Sequence, residues 1–202
     1  MNFKWIFIAT AFFVSQVSAI DVIALYKEDQ GVRTHLRSLS KNEVRKYITE
    51  VMLPGDKARL SQVESLLNRT DSLSSEEYFA AAMIMQHGSE PKHYKMAMEL
   101  SKKSALLDPN NKSANWLSCA AEDRYLLKIG KSQVWGTQLN RKMNAVGTHE
   151  VYYLENFNKN TRSDEERKLC GIPTLAEIES RLEVMAKLTD RNKQYSLWKT
   201  GI

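Results

Sequence analysis

The sequence predicts a mainly α fold, an orthogonal helical bundle carrying one irregular polar loop insertion. Three observations predict it. Apolar residues recur at helical spacing through most of the chain. Two capping boxes, Ser74-x-x-Glu77 and Thr174-x-x-Glu177, mark helix starts, because serine or threonine and glutamate satisfy each other's free N–H groups in a first turn. Turns built from Gly, Pro and Asn separate the periodic stretches.

Taken in order, residues 1–19 read as a secretory signal peptide. Lys4 supplies the positive start, Trp5 to Val14 the apolar run, and Val17-Ser18-Ala19 the small-residue cleavage site. The run is too short for a bilayer core that needs about 20 apolar residues. No cysteine follows the cut, so a lipid anchor is not expected. Residues 20–202 then form a single helical domain, of a size that buries a substantial core. Val22 to Leu39 is periodic, although Gly31 weakens a helix there. Ser40 caps a second helix through Val44, Tyr47, Ile48, Val51 and Met52, which Pro54-Gly55 is expected to end. Leu60, Val63, Leu66 and Leu67 mark a third.

Ser74 opens Tyr78 to Met85, apolar almost all round and so expected at the centre of the fold. Gly88 suits the left-handed position after it. Lys92 to Leu107, the turn Asp108-Pro109-Asn110-Asn111, and the helix with Ala114, Leu117, Ala121 and Leu127 resemble a tetratricopeptide half-repeat. No second copy follows at the 34-residue period of such arrays, so the likeness implies one helical hairpin. Val151 to Leu154 suits a strand or extended segment. Ser163 caps a short helix that Gly171-Ile172-Pro173 breaks, and Thr174 opens a final amphipathic helix.

The formal charge is +5, and falls to +4 when Lys4 leaves with the signal. Basic and acidic residues interleave without the concentrated stripe of a nucleic-acid binder, so no nucleic-acid partner is expected. No later run spans a membrane. The two cysteines, Cys119 and Cys170, fit a disulfide in an oxidising compartment or two buried thiols. With no C-x-x-C, redox catalysis is not expected.

The polar centre of gravity is Cys119 to Gln138. Asp123-Arg124 interrupts an apolar helix, and neighbours about 100° apart cannot both face water, so at least one is buried and needs partners. Asp29, Arg33 and Arg167 are the candidates for a structural network with Asp123. Gln133, Trp135, Thr137 and Gln138, with Gln86, His87 and Arg124, are candidate ligand-binding residues. Amides and a hydroxyl orient peptide or sugar groups, and Trp135 can stack on a sugar or anchor a partner. The same groups equally well pin a loop to the bundle. His87, at a helix end, is a candidate general base with Asp123 to orient it, or a cap on the last carbonyls. His87 and His93 lack the i, i+4 spacing of a helical metal pair, and no phosphate loop or dinucleotide glycine fingerprint is present, so neither metal nor cofactor is expected.

Six short motifs recur in an order that resembles an uncharacterised bacterial family, a domain of unknown function with a Tyr-Gly-Thr-Gln signature. They are Asp29-Gln30-x-x-Arg33, Gln86-His87, Asp123-Arg124, Gly130-Lys131-x-Gln133, Gly136-Thr137-Gln138, and Asp164-Glu165-x-Arg167 with Gly171. Trp135 stands where the signature has tyrosine. The resemblance implies a helical fold with a polar site and no particular activity. Three functions are therefore weighed: a periplasmic or secreted module that binds a protein or peptide partner (an immunity-like protein is one version), a cell-envelope hydrolase using His87, and a structural envelope protein.

Overall fold

The computed structural model describes residues 20–70, 72–143 and 150–189. Among the described residues, the chain is a bundle of α-helices with one two-stranded sheet. The helices are α1 (Val22–Ser38), α2 (Lys41–Tyr47), α3 (Leu53–Leu67), α4 (Ser75–Met85), α5 (Pro91–Leu107), α6 (Lys112–Lys128), α7 (Asp164–Leu169) and α8 (Leu175–Thr189). Strand β1 (Leu139–Met143) pairs antiparallel with β2 (Glu150–Leu154), Leu139 opposite Leu154. No helix among the described residues is long and apolar enough to cross a membrane. The proposed signal segment lies outside the described residues.

Local chemistry explains most boundaries. Ser74 accepts from Glu77 N–H while Glu77 accepts from Ser74 N–H at 2.8 Å, starting α4. Ser163 with Glu166 and Thr174 with Glu177 start α7 and α8 in the same way. Helix α4 is buried at Tyr78, Ala80, Ala81, Ala82, Ile84 and Met85 and packs on α1, α3, α5 and α6. Its alanines let the neighbouring backbones approach.

Three expectations fail. Pro54-Gly55 does not end the second helix: the chain widens into a π turn at Ile48–Met52 and runs on into α3. Leu53 N–H reaches back to the Ile48 carbonyl, and the wider turn absorbs the N–H that proline lacks. Gly88 is not left-handed; glycines with positive φ among the described residues are Gly130, Gly136 and Gly171. Gly88 is instead needed because a Cβ there would collide with the His93 ring. Val151 to Leu154 does form a strand within β2, but its partner β1 falls in the stretch expected to be irregular, with no apolar alternation to announce it.

Two hydrophobic cores share α6. Leu117 and Ala121 join α1, α3, α4 and α5 in the larger core. Cys119, on the other side of the helix, joins Trp135, Leu154, Phe157, Cys170, Ile172, Ile178 and Leu182 in the smaller. Cys119 and Cys170 are disulfide-bonded, with Cα atoms 6.3 Å apart. The bridge fastens α7 to α6 and closes the smaller core.

Candidate functional site

Helix α6 divides its polar residues as it divides its apolar ones. Arg124 continues the Leu117–Ala121 stripe (i, i+4, i+7) toward α4, whereas Glu122 and Asp123 follow Cys119 (i+3, i+4) toward the loop beyond Gly130. The adjacent pair Asp123-Arg124 thus serves two different neighbourhoods.

On the loop side, Asp123 is fully buried and its carboxylate is saturated. Oδ1 accepts from Val134 N at 2.7 Å and Trp135 N at 2.9 Å; Oδ2 accepts from Thr137 N at 2.9 Å and Thr137 Oγ1 at 2.7 Å. Burial pushes this carboxyl up and the loop's N–H groups pull it back. Gln133, also fully buried, donates to the Glu155 carbonyl at 2.7 Å and the Gln138 carbonyl at 3.2 Å and accepts from Gln138 N at 3.0 Å. Arg167 donates to the Trp135 carbonyl. Gly136 turns the loop with φ 73°, and an added Cβ would sit 3.0 Å from the Phe157 ring. The polar groups of Gln133, Thr137 and Gln138 are therefore spent on holding the loop.

Trp135 is a correction to the ligand-stacking expectation. Its ring is 6 % exposed, its Nε1 donates to Glu122 at 2.8 Å, and the Arg162 guanidinium covers it at 4.4 Å. The indole is a core residue closed off from a ligand. Among the described residues the open aromatic is Trp116, 40 % exposed. It borders a groove of about 270 Å³ whose walls include Gly136 and Thr137 of the loop, Leu139, and Ile178 and Leu182 of α8. Among the described residues, Arg181 is the one charged side chain lining it.

On the α4 side lies an ionic cluster. Val22, Tyr26, Asp29 and Arg33 fall on one stripe of α1, which places charge at the end of an apolar face. Arg33 donates to Asp29 at 2.6 Å and forks onto Asp56 at 3.2 and 3.0 Å. Arg59 pairs with Asp56 at 2.6 Å and with Glu28 at 2.8 Å. His87 brings Nε2 to 3.5 Å from Asp29 Oδ2 without closing a hydrogen bond. Burial, outweighing Arg33 and Arg59, pushes the Asp29 carboxyl up to about 6. Burial first, then the charges of Arg33, Arg124 and Arg59, bring the His87 imidazole down to about 3, so it is neutral at physiological pH.

Arg124 joins the two neighbourhoods. Its Nε donates to Gln138 Oε1 at 2.9 Å and its Nη1 to the Gln86 carbonyl at 3.0 Å. The helix end is thus capped by Arg124 and not by the His87 ring. The expected pairing of His87 with Asp123 is not formed, since Asp123 faces the loop and Asp29 is the carboxylate beside His87. Asp29, Arg33, Asp123 and Arg167 likewise belong to two networks: Asp29 and Arg33 to the ionic cluster, Asp123 and Arg167 to the loop. Sequence reasoning missed Asp56 and Arg59. Their i, i+3 spacing beside Leu60 and Val63 places them on the buried stripe of α3, once the helix is allowed to pass Pro54. It also missed Trp116 and Arg181.

Comparisons with family models, with curated proteins and with solved structures return no match for this chain.

Proposed function

We propose that the chain is an exported, helical interaction protein that seats an apolar segment of a partner, one bearing an acidic group, in the groove between the Gln133–Gln138 loop and α8. The observation that carries this reading is the groove: Trp116 and Leu139 stand 40 % and 41 % exposed at an apolar slot whose one lining charge among the described residues is the Arg181 guanidinium. Exposed aromatic anchors beside a rigid wall are what binding surfaces concentrate, and the wall is rigid because Asp123 and Gln133 fix the loop from behind. Export rests on the signal-like residues 1–19, and the disulfide suits an oxidising compartment. Membership of the Gly-Thr-Gln family rests on the order of its motifs.

Selection from a random peptide display library tests the reading. Peptides with an aromatic or aliphatic residue next to Asp or Glu should be enriched, Trp116→Ala should abolish the enrichment, and Arg181→Glu should shift it toward basic peptides. Enrichment that ignores both substitutions would overturn it.

A hydrolase is the second reading, and it rests on the placement of His87 Nε2 3.5 Å from the buried Asp29 carboxylate. In that case His87→Ala abolishes turnover of peptidoglycan or peptide substrates and leaves Tm nearly unchanged.

A further inference from the structure

The interaction groove makes no use of Arg124. This guanidinium is largely buried, which lowers its hold on its proton, yet no carboxylate among the described residues lies within ion-pair distance of it. The nearby acids Asp29, Asp56 and Glu28 are engaged by Arg33 and Arg59, and Asp123 points the other way with its oxygens saturated. Arg124 holds neutral partners through Nε and Nη1, and its Nη2 makes no hydrogen bond among the described residues. A desolvated cation with uncharged partners is short of a counter-charge. Beside it stands His87, a fifth exposed, whose ring likewise makes no hydrogen bond there. Tyr94, half-buried on α5, lies within electrostatic reach of Arg124.

We propose that Arg124, where it lies beside Gln86-His87 and Tyr94, binds a small carboxylate, which pairs with its Nη2 next to the His87 ring. A carboxylate fits better than phosphate, because one guanidinium nitrogen is open and one cation is uncompensated. The site is separate from the groove and does not depend on the reading given above. It also carries a signature. An anion here offsets the Arg33 and Arg124 fields that suppress His87, so binding makes the imidazole, and the Asp29 carboxyl 3.5 Å from it, easier to protonate.

The probe is acetate, titrated into the full exported chain at pH 7 and at pH 5 and followed through the His87 ring NMR resonances, with inorganic phosphate and chloride as parallel arms. Saturable shifts with acetate are expected, and they should weaken about tenfold or more in Arg124→Gln. Arg124→Lys keeps the charge and so retains part of the binding, which separates loss of the site from loss of the fold. Trp116→Ala should leave acetate binding unchanged and so distinguishes this site from the groove. No saturation up to about 50 mM acetate, equal binding in Arg124→Gln, or phosphate binding more tightly than acetate would each overturn the proposal.

Discussion

Two buried aspartates, Asp123 on α6 and Asp29 on α1, are both wholly shielded from solvent and are held in opposite ways. Asp123 is surrounded by neutral donors, three backbone N–H groups and one hydroxyl, all from a single loop. Asp29 is held by the Arg33 guanidinium and the Gln30 amide, with Arg59 3.7 Å and His87 3.5 Å away. The first arrangement leaves no lone-pair direction unused and fixes backbone geometry. The second leaves a titratable pair beside a partly exposed imidazole, where a proton or an ion changes the balance. A buried carboxylate tied to backbone marks architecture, whereas one tied to other ionisable groups marks a place where chemistry can respond to surroundings.

The largest test of this contrast removes the covalent tie around the loop. Replacing both Cys119 and Cys170 by alanine should cost about 4 kcal/mol in the chain-entropy account of a crosslink of this span, lowering Tm while the His87 resonances of the ionic cluster stay in place. Movement of both regions together would merge them into one unit.

Next comes the direct comparison. Asp123→Asn turns one acceptor oxygen into a donor facing Thr137, and should cost about 3 kcal/mol, or roughly 6–12 °C in Tm. Asp29→Asn should cost only about 1–2 kcal/mol, because Arg33 keeps its fork on Asp56. Equal losses in thermal melts would sink the distinction.

The pH profile sharpens it further. Asp29 is raised from 3.8 to about 6, so the folded state holds its proton more tightly than the unfolded chain; that contribution is full at low pH and is lost as pH rises through about 6. His87 is lowered from 6.5 to about 3, so its contribution has the opposite sign and stability grows as pH rises from about 3 to 6.5. The two oppose each other between about pH 4 and 6. In denaturant titrations His87→Gln should leave stability falling with pH across that window, and Asp29→Asn should leave it rising. Identical slopes in the two variants would refute the assignment.

The smallest expected effect is Gly31→Ala. The site lies between Asp29 and Arg33 in α1, and a Cβ there meets nothing within 4 Å. A gain of up to about 1 kcal/mol, with the pH profile unchanged, would show that the ionic cluster and not helix propensity sets the behaviour of α1.

Much of the fold was legible because its signals are local. Capping boxes lie within four residues, the all-round apolar character of Tyr78 to Met85 marks a central helix, and adjacent Asp123 and Arg124 had to point to different surroundings. What was not legible depended on distance along the chain. Strand β1 reads as polar and exists through its pairing with β2. Continuity past Pro54 needed a π turn that no single residue announces, and with it went the positions of Asp56 and Arg59. The site was half legible: its residues were named, but Trp135 reads as an anchor until the fold covers it with Arg162, and the carboxylate beside His87 comes from α1, 58 positions earlier in the chain.

The Cys119–Cys170 bridge has a consequence for survival under proteolysis. Its sequence separation of 51 encloses the pinned loop, both strands and α7. A protease that nicks the chain between the two cysteines produces two polypeptides still joined through sulfur, so the larger core keeps its α6 partner and the fragments stay together until the bridge is reduced.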